Sequence, residues 1–378
     1  MKHIRGLLLI FLCALIASCR GALPPATAIP QTKAPSGSPT FTPPPTHTPE
    51  RVPLVIFAAG SLIIPFDQIE KAFEAKYPNI DVLPEYHGSI QVMRHATELH
   101  ESIDVVATAD ASLIPMLMYA NQVPETGQPY ADWYIRFASN RLALAFNDQS
   151  KYANEINADN WYEIVSQQDL RTGIADPRFD AAGYRALMTF ALANDYYQDP
   201  KIFTDMFAGR LPVTIFQDED LTTVTVPEIV EPTPGTGLVM RGASVQLLAL
   251  LEANELDYAF EYESVIQQHG LRAVELPDPI NLGSPDEDYS HVVVVLDFRR
   301  FQSVKPEFYG ERIGYGITIP SNAPHPEEAA LFISFLLGPE GRAIMEANYH
   351  PVFDEPLADG YENLPTGLQA LSVPANPP

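Results

Sequence analysis

Two short turns near the start of the globular sequence carry the residue types that hold anions. Ala58-Ala59-Gly60-Ser61 follows an apolar run, Pro53-Leu54-Val55-Ile56-Phe57, and His87-Gly88-Ser89 follows a second run, Ile80-Asp81-Val82-Leu83. After the first turn Leu62, Phe66, Ile69, Phe73 and Tyr77 recur at helical spacing, and after the second Ile90, Met93, Ala96 and Leu99 do so. The N-terminus of a helix exposes N–H groups without helical partners and carries partial positive charge. Glycine lets the backbone approach a ligand closely, and a serine hydroxyl adds a donor. The chemistry on offer is capture of an anion. The plainer use of Ser61 is to cap its own helix. One such turn favours capping, whereas two within 30 residues make an anion site an equally good account.

No arrangement of residues points to catalysis. Ser61 and Ser89 lack the flanks of a nucleophile elbow, and there is no phosphate-binding Walker loop or HExxH helix. His95 and His100, five apart, do not share a helix face well. Asp286-Glu287-Asp288 with His291 reads as a solvated loop, and Asp176 with Asp180 is a weak carboxylate pair. A binding protein is expected rather than an enzyme, with no cofactor and no free metal cation.

The elements that must position these turns follow from periodicity. The two apolar runs are strands, and Ile103-Asp104-Val105-Val106-Ala107 is a third. The order βαβαβ predicts a parallel sheet covered by helices, whose ligands bind beyond the carboxyl ends of the strands. Pro65 is tolerated only in the first turn of its helix. Arg141–Phe146 is a further strand that crosses into a second lobe. Helices are expected around 183–195 and 245–253, and a strand at Tyr258–Tyr262. Tyr315–Pro320 crosses back. A helix over Pro326–Leu337 breaks at Gly338-Pro339, and another runs to Glu346. The tail, 360–378, is punctuated by Pro and Gly and is expected to be loose. The expected lobes are 51–138 with 272–378, and 139–271.

Ahead of this body, Lys2 and Arg5 precede the apolar run Leu7–Ile16, too short to span a bilayer. Small residues Ala17-Ser18 stand directly before Cys19. This reads as a secretory signal over 1–18, and Leu-Ile-Ala-Ser-Cys resembles the bacterial lipobox, which implies a lipid on Cys19. Residues 19–50, rich in Pro and Thr, cannot bury enough apolar surface to fold and are expected to form an extended tether. The two cysteines, Cys13 and Cys19, both precede the body, so no disulfide holds it together. The formal charge of −25 argues against a nucleic-acid partner and requires any anion site to act locally. The expected protein is extracytoplasmic, anchored to the cell membrane through Cys19, and monomeric.

Several stretches taken together carry a resemblance. They are Ala59-Gly60-Ser61-Leu62 with Pro65-Phe66, Phe73–Asn79, Ala107-Thr108-Ala109-Asp110, and Ala131-Asp132-Trp133-Tyr134. To these are added Asp180-Ala181-Ala182-Gly183-Tyr184-Arg185, Leu256–Tyr262, and Tyr315–Pro320. Over about 53–350 the chain resembles the molybdate/tungstate-binding proteins of ABC importers, in the form common in archaea. The resemblance implies an α/β, two-lobed fold of the periplasmic-binding-protein type II class. Each lobe would be a mostly parallel, helix-covered sheet, with the oxyanion in a cleft between lobes and a membrane permease as partner. It also implies ligand contacts from Gly60 and Ser61, from Gly88 and Ser89, from Asp180 with the backbone of Ala181 and Ala182, and from Tyr262.

One position departs from the family pattern. Eighteen residues before the tyrosine the family carries a glutamate, and this chain has Ser244. In the family an aspartate and that glutamate each place an oxygen on the metal of the oxyanion. Asp180 remains a candidate for that role. With Ser244 as a hydroxyl donor, fewer than six oxygens are expected around the metal. Glu228 or Glu231 could swing in, and Arg241 lies near enough in sequence to add positive charge. The difference also keeps sulfate or phosphate open as the ligand, and a lipid-anchored sensor of the same fold is the reading outside transport.

Overall fold

The computed structural model describes residues 51–298 and 306–375; the expected signal, Cys19 and the tether lie outside them. Their strands form three sheets. β1 (Val52–Ala59), β2 (Ile80–His87), β3 (Val105–Thr108) and β4 (Tyr134–Ser139) belong to the first. β5 (Leu142–Phe146) and β6 (Thr172–Ala175) open the second, and β7 (Thr214–Gln217) with β8 (Thr222–Pro227) open the third. β9 (Leu238–Arg241), β10 (Tyr258–Tyr262) and β11 (Arg272–Glu275) complete the second sheet, and β12 (Val292–Asp297) and β13 (Glu307–Tyr309) the third. β14 (Gly314–Thr318), β15 (Val352–Asp359) and β16 (Val373–Pro374) return to the first. The orders are β16-β15-β4-β14-β3-β1-β2, β11-β5-β10-β6-β9 and β13-β12-β8-β7.

This is the expected two-lobed α/β architecture, with three differences. Both main sheets are mixed: β1 pairs in parallel with β2 and β3, whereas β14 runs antiparallel to β3 and β4. Strands that cross between lobes enter from the far side and so run against the βαβ strands. The return also comes later than residue 272. β11 pairs with β5 from Arg272↔Phe146 to Glu275↔Ala143, and β12 and β13 pair with β8 and with each other. Both sets therefore stay with the second lobe until Gly314. Finally, the tail is tied down as far as Ala375: Thr366–Gln369 is helical, and β16 pairs with β15.

Helix Ile63–Lys76 carries Pro65 in its first turn, where proline costs no hydrogen bond. Its buried side, Phe66, Ile69 and Phe73, meets helix Pro326–Leu337 through Phe73–Phe332 and Phe66–Phe332 ring contacts at 5.4 and 5.9 Å. Edge-on aromatic pairs at this spacing add about 1 kcal/mol beyond simple burial. Helix Ser89–Thr97 stops short of Leu99, which is 57% exposed. Among the described residues no helix is long and apolar enough to cross a membrane.

Candidate functional site

Parallel pairing of β1 with β2 puts Ala59 opposite His87, so the two Gly-Ser turns emerge side by side at one sheet edge. β3 ends next to them, and the Ala109 N–H donates to Ser89 Oγ at 3.1 Å. Ser61 and Ser89 are buried at 4% and 1% exposure. Neither hydroxyl caps its helix, so the capping role is not realised. Ser61 Oγ instead accepts the Tyr315 hydroxyl at 2.8 Å, and Tyr315 accepts from Asn140 Nδ2 at 3.0 Å. Asn140 sits between β4 and β5, where the chain leaves the first sheet for the second, and Tyr315 lies on β14, where it returns. The crossing segments thus fix the orientation of the first Gly-Ser loop.

The second lobe supplies the facing wall, again from carboxyl ends of strands. β6, β9 and β10 lead into Asp180, Ser244 and Tyr262. Asp180 caps helix Ala181–Tyr196: its Oδ1 accepts the Ala182 N–H at 2.9 Å, and its Oδ2 accepts the Ser244 N–H at 2.9 Å. The bond from Ser244 ties the β6 loop to the β9 loop, and the bond to Oδ1 occupies the Ala182 N–H, whose backbone was expected to reach the ligand. Burial raises the Asp180 carboxyl above its ordinary value, the two N–H donors opposing the rise. The Asp176 carboxylate does not pair with it, because Arg178 takes its oxygens at 2.6 and 2.9 Å. Gly183 makes the tight packing possible: a Cβ there would lie 2.6 Å from Ala175 O.

The expected donor role of Ser244 is also corrected. Its hydroxyl donates to Glu261 Oε1 at 3.0 Å rather than pointing free. Glu228, Glu231 and Arg241 are exposed and take no place in the site.

Arg185 joins the two walls, and sequence reasoning did not assign it to the site. Its Nη1 donates to Tyr262 Oη at 2.8 Å and to the Ala109 carbonyl at 2.7 Å. Its Nη2 lies 3.1 Å from Asp110 Oδ2, an ion pair without hydrogen-bond alignment. Tyr184 donates to the same carboxylate. Arg185 falls one helical turn beyond Ala181 in the Asp-x-x-Gly-Tyr-Arg string, and that position was the available signal. The lobes also meet directly. Ile90 and Gln91 donate their N–H groups to the Phe179 carbonyl at 3.1 and 3.2 Å.

The described residues contain no cluster of three metal-ligating side chains. A cavity of about 780 Å³ on the second lobe, lined by Tyr162, Gln167, Asp205 and Arg210 among others, includes none of these site residues. What converges is a set of hydroxyls, helix N-termini and one buried guanidinium, an arrangement that can hold an anion between two lobes.

Residues 54–349 match the bacterial extracellular solute-binding protein family. The chain belongs to that family. A solute-binding protein of Petrotoga mobilis is 39% identical over 319 residues, covering 84% of this chain and 88% of the relative. One of Methanoculleus marisnigri is 37% identical over 323 residues, covering 85% and 87%. The solved sulfate-binding protein of Mycobacterium tuberculosis aligns over 80% of this chain and 88% of its own with a TM-score of 0.53 at 11% identity, a likeness of fold alone. In this solute-binding protein the carboxyl-end loops of the first sheet face Asp180, Ser244 and Tyr262 of the second lobe.

Proposed function

We propose that this solute-binding protein captures molybdate or tungstate by closing its lobes on the oxyanion and delivers it to an ABC permease. On this reading the lipid expected on Cys19 keeps the protein at the membrane. The carrying observation is the register of β1 and β2, which sets Gly60-Ser61 beside Gly88-Ser89. Opposite them stand Tyr262 and Arg185, already bonded to each other at 2.8 Å. Backbone N–H and hydroxyl donors would replace the ligand's water, and no bond is made or broken. Asp180, with both oxygens accepting N–H groups, is the carboxylate nearest in role to the family's metal contact. Ser244 leaves the second such contact unfilled, so fewer than six oxygens are expected around the metal. That difference also supports sulfate as the second reading.

The test is a thermal-shift series with molybdate, tungstate, sulfate and phosphate. A ligand stabilises by RT ln(1 + [L]/Kd), so at a hundredfold excess over Kd the gain is about 2.7 kcal/mol. Molybdate or tungstate is expected to raise the melting temperature most. If none of the four raises it, the oxyanion reading is wrong. A tungstate complex showing six oxygens on the metal would overturn the expectation of fewer.

A further inference from the structure

β10 reads Tyr258-Ala259-Phe260-Glu261-Tyr262, and all five residues are buried. Glu261 is 0% exposed. Its Oε1 is fully used, accepting the Tyr262 N–H at 2.7 Å and the Ser244 hydroxyl at 3.0 Å. Its Oε2 is buried and has no hydrogen-bond partner among the described residues. A bare carboxylate oxygen away from water is costly, and a group so placed takes a proton instead.

The charges around it agree. Asp180, held by the N–H of the same Ser244, adds a like charge. The guanidinium of Arg185 reaches the neighbouring Tyr262 and is otherwise committed to Ala109 and Asp110. Tyr262 and Tyr315 stay neutral, their hydroxyls pushed up by burial. Burial pushes the Glu261 carboxyl up to about 8, with Asp180 adding to the rise and the bonds to Oε1 opposing it. An ionised Glu261 would add a second negative charge where an anion must bind. A neutral Glu261 turns its bare oxygen into an O–H donor.

We propose that Glu261 is a ligand-contacting residue of the oxyanion site and donates a hydrogen bond from Oε2 to an unprotonated oxygen of the bound anion. This rests on the oxyanion reading and deepens it. The chain lacks a glutamate at position 244, and the serine there instead holds Oε1 so that Oε2 is left for the ligand. The ligand class is an oxyanion that accepts from an acid without bonding it to its metal.

The experiment is calorimetric titration with molybdate at pH 6.5, 8 and 9.5, a range over which molybdate carries no proton. Wild-type affinity should fall roughly tenfold per pH unit above 8, because the donor proton must be taken up again on binding. Glu261→Gln keeps an acceptor for Tyr262 and Ser244 and places an N–H where Oε2 stands. It should bind within a few-fold of wild type at pH 6.5 and keep that affinity at 9.5. Glu261→Ala, checked for folding by its melting transition, should bind roughly tenfold or more weakly. A pH-independent wild type, with Glu261→Gln as weak as Glu261→Ala, would make Glu261 a charged metal ligand and overturn the proposal. Wild-type affinity in both variants would remove Glu261 from the site. Wild-type binding to molybdate with either result leaves the oxyanion reading standing. If wild type binds none of molybdate, tungstate and sulfate, the oxyanion reading fails and this proposal fails with it.

Discussion

Gly88 and Phe179 touch where the lobes meet: a Cβ on Gly88 would lie 2.3 Å from the Phe179 carbonyl oxygen and 2.8 Å from its carbonyl carbon. The backbone of Gly88, at φ −63° and ψ 146°, is ordinary for any residue. Glycine is therefore required by the approach of the second lobe, and not by the first lobe's own folding. Gly88→Ala should leave the free protein stable while breaking the Ile90 and Gln91 bonds to Phe179. Ligand affinity is expected to drop at least tenfold, about 1.4 kcal/mol, the scale of one or two lost hydrogen bonds. Titration of the preferred anion checks the affinity. Small-angle scattering with saturating ligand should show a more open particle than wild type.

Tyr315→Phe removes the donor to Ser61 and the acceptor for Asn140. Asn140 keeps Ser264 Oγ at 2.7 Å, so the greater loss falls on Ser61. Stability should fall by about 1–2 kcal/mol, measured by urea unfolding with an unchanged m-value. Affinity should weaken several-fold because Ser61 is no longer oriented. An unaltered affinity would place Ser61 outside the ligand shell.

Arg185→Ala leaves Asp110, 3% exposed, without its cation. Removing one partner of a buried pair costs about 3–5 kcal/mol. Arg185→Lys keeps the charge but cannot reach Tyr262, Ala109 and Asp110 with one planar fork, so its loss should be intermediate. Urea unfolding of both variants ranks them.

Two buried groups set opposite pH dependences of stability. His350, 1% exposed, is pushed down to about 4 by burial. Between about 4 and 6.5 the unfolded chain holds a proton that the folded one does not, so stability falls as pH drops through that window. Glu261 is raised from 4.5 to about 8. Between those values the folded state holds the extra proton, so its contribution is full below 4.5 and is lost as pH rises through 8. The two oppose each other up to 6.5. From 6.5 to 8 the Glu261 slope acts without that opposition, and stability should decline by up to about 2 kcal/mol. Urea midpoints at pH 6.5 and 8.5 test this, and Glu261→Gln should flatten the difference.

The two Gly-Ser loops were legible because their signal is local. Gly60-Ser61 and Gly88-Ser89 each sit between a short apolar run and a run of helical period, and the helices Ile63–Lys76 and Pro326–Leu337 could be placed from spacing alone. The third sheet was not legible, because its short strands around Thr222–Pro227 and Val292–Asp297 pair across about 70 residues, and no local pattern encodes that partner. Ala182 and Ser244 were assigned to the ligand from a motif. The fold instead directs the Ala182 N–H to Asp180 and the Ser244 hydroxyl to Glu261. Glu261 was readable only as an acid inside an apolar strand.

The sequence by itself determined which residue types were available: paired Gly-Ser turns, Asp180, Tyr262, an absent glutamate at 244 and a body without cysteine. These depend on chain chemistry and short-range periodicity. Tertiary structure alone decided which hydrogen-bond capacity remains for a ligand. Asn140 and Tyr315 meet across 175 residues of sequence, Arg185 and Tyr262 across 77, and Ser244 and Glu261 across 17. Each donor they use on one another is one that a water or an anion cannot have. Burial then sets the charge of Glu261, since a proton is favoured only once the strands on either side and Ser244 have excluded water.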